Sequence, residues 1–241
     1  MKKKVEYILK VICYTLIFCF VHSSNVINYL KPNTKENEEY NKNVHLNAVD
    51  FVDFGITMIM SIINIFTSYN LNSSSLSRVY GKDSIGIESL LLHISMSIYE
   101  IFYQVLMEKK WLVLIHHLIV IIGFSSFIYY GIGQYYLNTL AIAEITNIFL
   151  VPFLLIKRNN IYLDKLFYIG LLTGVSFIFV RILLLPYMLY NTTVDMKYIP
   201  ENKIIEINIG QFIILLIILI SVYWFYKLCK GGIKEYRKLY G

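Results

Sequence analysis

Seven long apolar stretches, separated by short polar segments, organise the whole chain. Each approaches the ~20 residues a helix needs to cross a hydrocarbon core of about 30 Å. The first lies within residues 1–30, where a basic start leads into an apolar run over 5–21. It reads as an amino-terminal transmembrane or signal-anchor helix, retained rather than cleaved because no clean small-x-small site follows it. A polar, Asn-rich loop is expected over 31–48. Further spans are expected over 49–69, 84–107, 111–130, 134–156, 165–190 and 204–226, with a basic tail over 231–241. The turns at 108–110 and 131–133 are so short that the spans they join must be antiparallel neighbours.

Polar residues interrupt these spans in register. In the second, Asp50, Asp53, Thr57, Ser61, Asn64 and Ser68 recur at steps of three or four and fall within about 80° of a helix face. In the third, His93, Ser97, Glu100 and Gln104 fall within about 60°. The fourth, WLVLIHHLIVIIGFSSFIYY, is apolar over the length of a spanning helix, yet carries the adjacent pair His116–His117. Ionisable groups at membrane depth are costly unless they face protein or a wet cavity. Two aligned stripes therefore predict a helical bundle around a polar interior.

Composition agrees. With 57% hydrophobic and 16% charged residues, and a mean hydropathy of +0.58, no soluble domain of this length hides so much apolar surface, so the chain is polytopic in a membrane. The net charge of +6 sits in loops and tails rather than on one continuous face, which argues against nucleic acid as a partner. Lys227, Lys230, Lys234, Arg237 and Lys238 favour a cytosolic carboxy terminus, which puts the sequon Asn191-Thr192-Thr193 on the lumenal side. Trp224 and Tyr226 read as an interfacial belt. Cys13, Cys19 and Cys229 form neither a disulfide framework nor a metal motif.

The ionisable residues inside the spans are Asp53, His93, Glu100, His116, His117, Glu144 and Arg181, drawn from five helices. Such a set suits proton-transfer chemistry and equally suits a structural polar network. No metal is expected, because adjacent histidines diverge by about 100° on a helix whereas paired ligands from one helix sit at i,i+4. There is no G-x-S-x-G elbow, no intramembrane Lys for retinal and no G-x-G-x-x-G. Arg181 needs a carboxylate, and Glu144 on the preceding span is the expected one, ahead of Glu100 and Asp53.

Leu114-Ile115-His116-His117-Leu118, followed by Glu144-Ile145-Thr146-Asn147-Ile148-Phe149-Leu150, resembles the TLC-domain family. Phe177-Ile178-Phe179-Val180-Arg181 and Trp224-Phe225-Tyr226-Lys227 are similar to its last two helices, and Tyr99-Glu100 stands where it often has an aromatic before Asp. The similarity spans about 49–230. That family includes ceramide synthases, translocon-associated membrane proteins and small TLC-only proteins of lipid homeostasis. It implies an all-α fold, a six-helix TLC core plus the amino-terminal helix around a polar cavity, in the endoplasmic reticulum. In ceramide synthases the paired histidines serve acyl transfer from acyl-CoA. The resemblance thus implies His116, His117, Glu144 and Glu100 as catalytic residues and Asp53, His93, Asn147 and Arg181 as substrate-binding ones. Membrane lipid is the implied partner, acyl-CoA the implied co-substrate, and no further cofactor is implied. Ceramide synthases carry an Asp pair where this chain has Glu144 and Asn147, and an amino-terminal homeobox-like region that this chain lacks, which aligns it with the small TLC-only branch. The other reading is a non-enzymatic lipid sensor, cargo or trafficking receptor, or translocation-associated factor using the same interior.

Overall fold

In hydrocarbon a backbone N–H or C=O finds no water, so a chain this apolar satisfies its backbone within helices. The computed structural model describes residues 2–32, 34–105 and 111–240; among them no strand occurs, and seven helical segments are long and apolar enough to cross a membrane. In chain order the helices are α1 (Lys2–Val26), α2 (Glu38–Leu71), the short α3 (Ser75–Tyr80), α4 (Ser84–Glu100), α5 (Trp111–Tyr130), α6 (Gln134–Ala141), α7 (Asn147–Asn159), α8 (Leu166–Ser176), α9 (Leu185–Asp195) and α10 (Ile204–Tyr240). The fifth and sixth spans are not continuous α-helices. A 3₁₀ segment, Ile142–Thr146, joins α6 to α7, and a π segment, Phe177–Leu184, joins α8 to α9. A π turn, Ile101–Val105, also extends α4.

α2 is the central helix, packed against α1, α4, α6 and α7. Its polarity is inverted relative to a helix of a soluble protein. Phe51, Ile59, Ile62, Phe66 and Tyr69 are exposed, while Asp50, Asp53, Thr57, Ser61, Asn64 and Ser68 are buried. Outward apolar and inward polar is what a lipid solvent demands. α1 lies outside α2 and α4, and is tied on by Lys10 Nζ donating to Glu88 Oε1 (2.5 Å) and Tyr14 OH donating to Glu88 Oε2 (3.0 Å). α5 packs on α4 and α10, and α10 also covers α8 and α9.

Two glycines set close approaches. A Cβ on Gly86 would lie 2.4 Å from Thr67 Cγ2 and 2.6 Å from Gln134 Nε2, so only glycine lets α2, α4 and α6 meet there. Gly133, at φ +82°, turns the chain between α5 and α6 and donates its N–H to Val79 O (2.8 Å), which locks the turn onto α3.

Several sequence boundaries shift. The polar loop expected over 31–48 is helical from Glu38, whose first-turn partner Glu39 also complements the helix dipole. The loop after α2 contains α3, capped by Ser74 Oγ accepting from Ser77 N–H. The sixth span runs on to Asp195, so Asn191 is helical and only 6% exposed; a side chain packed into the bundle is no accessible glycan acceptor. The Gln104 side chain and the turn 108–110 lie outside the described residues.

Candidate functional site

The two histidines of α5 diverge, and each meets a different carboxylate. Their ring centroids are 5.4 Å apart at 61° between planes. His116 Nε2 lies 3.8 Å from Glu144 Oε1 on the 3₁₀ segment, and His117 Nε2 lies 3.4 Å from Glu100 Oε2 at the end of α4. Both histidines are buried. Divergence by about 100°, which argues against a shared metal, is what lets one helix address two neighbours. Among the described residues no group of three or more His, Cys, Asp and Glu is placed to hold a metal ion.

Glu144 is the hub. Its Oε2 accepts from Arg181 Nη2 (3.3 Å) and from Asn147 Nδ2 (3.1 Å). Arg181 Nε donates to Thr146 Oγ1 (3.1 Å), and Asn147 Nδ2 also reaches Asp53 Oδ2 (3.3 Å), whose Oδ1 accepts from Thr57 Oγ1 (2.8 Å). Trp224 of α10 stands beside both residues, 5.1 Å from the His116 ring and 5.8 Å from Arg181 Cζ. Two buried nitrogens here have no hydrogen-bond partner, His116 Nδ1 and Arg181 Nη1. Buried polar groups are nearly always paired, so orphans of this kind call for a physical reason.

Local backbone explains the aim of these side chains. Glu144 sits on the tightened 3₁₀ segment and Arg181 on the widened π segment, while Glu100 immediately precedes the π turn. Pro186 lacks an N–H and its ring crowds the carbonyl of Ile182, which a wider turn relieves. That proline is the sequence signal for the distortion.

The expected site residues fall into three neighbouring sets. Glu144, His116, Arg181, Asn147 and Asp53 form one cluster, and His117 with Glu100 forms a second pair beside it. His93 stands two turns, roughly 10 Å, along α4 from Glu100, packed edge-on against Phe124 and accepting from Asn64 Nδ2 (3.2 Å). It belongs to a neutral layer in which Asn138 Nδ2 donates to Asn64 Oδ1 (2.7 Å) and Gly86 O (3.1 Å). Past that layer, Gln134 clasps the backbone of Asp83, and Arg78 donates to Asp195 through Nε (2.6 Å) and Nη2 (2.7 Å). The Asp195 carboxylate raises the pKa of Arg78 above its ordinary value. At the opposite end Arg158, beyond the expected end of the fifth span, is helical and donates to Asp50 Oδ2 (2.6 Å). Polar contacts thus run along α2 from Asp50 to the Asp83 turn. Asn138, Gln134, Thr146, Arg78 and Asp195 escaped the sequence reading because each stands near a span end or carries no charge.

Two cavities among the described residues lie away from the histidines and the carboxylates they face. One of about 460 Å³ lies between the end of α1, the start of α2 and Asn159. Another of about 300 Å³ lies between α5, α6 and α10.

Compared with protein families, the chain matches the model of the TLC domain over residues 43–230. It belongs to the TLC-domain family. No curated protein and no solved structure matches it. The TLC domain therefore begins within α2, ends within α10, and includes all eight candidate residues together with the three helix distortions. In this TLC domain Asn147 gives a physical account of its departure from an acidic pair. An Asp there would set a third carboxylate against Glu144 and Asp53, whereas the amide donates to both.

Proposed function

We propose that this TLC-domain membrane protein transfers a fatty acyl group from acyl-CoA to a lipid hydroxyl or amine in the endoplasmic reticulum. The carrying observation is His116, with Nε2 facing Glu144 and a buried, unpartnered Nδ1. Glu144 lies 3.8 Å from Nε2; closing to hydrogen-bond distance when substrate is bound, it would keep the proton on Nε2 and leave the lone pair on Nδ1, the arrangement a general base needs. His116 Nδ1 takes the proton from the acceptor as its oxygen or nitrogen attacks the thioester carbon. The C–S bond then breaks and the proton passes to the leaving thiolate. His117 with Glu100 is a second carboxylate-oriented imidazole for the same relay, and Asp53 and Asn147 set the charge around Glu144.

Purified protein in nanodiscs, given palmitoyl-CoA and a mixed lipid acceptor pool, is expected to release free CoA and form an acylated lipid. His116→Gln, which keeps the size and loses the base, should lower the rate by roughly 10²–10⁴-fold. Unchanged lipid profiles and no CoA release from the wild-type protein would sink the enzyme reading and favour a lipid sensor or trafficking receptor. The run of polar contacts beyond the site favours one further reading, passage of a small polar solute. Solute flux in proteoliposomes without CoA release would support it.

A further inference from the structure

We infer that Arg181 is the donor that binds the carbonyl oxygen of the acyl group, through its unpartnered Nη1. This rests on the acyl-transfer reading and gives that site the electrophilic half which the histidines do not supply. Arg181 is 2% exposed, and its guanidinium is fixed on two sides: Nε donates to Thr146 Oγ1 and Nη2 to Glu144 Oε2. Phe177 and Trp224 flank it at 5.1 and 5.8 Å from Cζ. Nη1 remains buried and unused.

A guanidinium cannot shed its charge or hide its N–H groups, so a buried Nη1 without a protein partner is complementary to an oxygen that arrives with a ligand. His116 Nδ1, the other orphan, belongs to the same Glu144 cluster and packs on the same Trp224. A fixed donor and a free acceptor in one cluster match the two needs of acyl transfer, a carbonyl oxygen that gains charge and an attacking O–H or N–H that loses a proton. Charge selects the ligand further. The one Arg charge is already met by Glu144, with Asp53 close by, so an uncharged carbonyl fits and a carboxylate is repelled.

Binding of carbonyl-¹³C 2-heptadecanone, a neutral ketone that cannot be turned over, to the full chain in nanodiscs tests this without relying on catalysis. The wild type should retain the ketone at least roughly tenfold better than heptadecane or hexadecanoate, the size of a charge-assisted hydrogen bond. Its infrared carbonyl band should shift to lower frequency. Arg181→Lys keeps a cation opposite Glu144 without the fork, and Arg181→Met with Glu144→Gln removes both charges; each folded variant should lose the preference and the shift. Equal retention of ketone and alkane by the wild type, or a shift that survives in either variant, overturns the assignment. Selective ketone binding without CoA release would leave the donor assignment standing and remove the acyl-transfer reading. CoA release unaffected by Arg181→Lys would do the reverse.

Discussion

Arg78 and Arg181 each meet a carboxylate inside the same bundle, and they do so differently. Arg78 holds Asp195 by two bonds of 2.6 and 2.7 Å, and Tyr136 OH donates a third at 2.5 Å. Arg181 holds Glu144 by one bond of 3.3 Å and leaves Nη1 idle. The first pair clamps α3, α6 and α9 with every strong contact made. The second spreads one carboxylate over Arg181, Asn147 and His116 and keeps donor capacity in reserve. The unmade guanidinium N–H sets the second pair apart from the first, and it is the capacity a site awaiting a ligand would keep.

Removing one partner of the tight clamp gives the largest expected loss. Asp195→Ala strands Arg78 and Tyr136 and should cost roughly 3 kcal/mol, the lower end for a broken buried pair because this one lies near the end of the bundle. Denaturant titration of the purified protein in micelles reads it, and a loss no greater than that of Glu144→Ala would erase the contrast. Gly86→Ala should cost about 1–3 kcal/mol by forcing α2 and α6 away from α4. That measurement tests whether the neutral layer between the two arginines is as tightly packed as its 2.4 Å clearance requires. The smallest loss should belong to Arg181→Lys, on the order of 1 kcal/mol, since a cation still faces Glu144 while the hydrogen bond from Nε to Thr146 is lost. A loss equal to that of Asp195→Ala would make Arg181 a clamp like Arg78.

What was legible in the sequence follows from period and cost. The stripe from Asp50 to Ser68 repeats at helical spacing inside an apolar run, so its inward face and the number of spans could be read from pattern alone. The pairing of Arg181 with Glu144 could be read from the scarcity of partners on neighbouring antiparallel spans. The division of His116 and His117 between two carboxylates could not, because it depends on the 3₁₀ and π segments, and periodicity at 3.6 residues is blind to both. Arg158 and Asp195 were missed for a related reason. A charge near a span end reads as solvated unless the helix is known to continue past it.

The π segment Phe177–Leu184 carries an implication for how this chain and its relatives change over time. A π turn holds an additional residue relative to the α-helix, so deleting one residue there would shorten no loop. It would close the wide turn and swing everything beyond it by about 100°, carrying Asp195 off Arg78 while Arg181 loses its aim at Glu144. Length in this stretch is therefore under constraint at both ends of the bundle at once. In a family alignment, a one-residue gap is expected to fall inside this membrane helix only together with exchanges at positions 78, 144, 181 and 195.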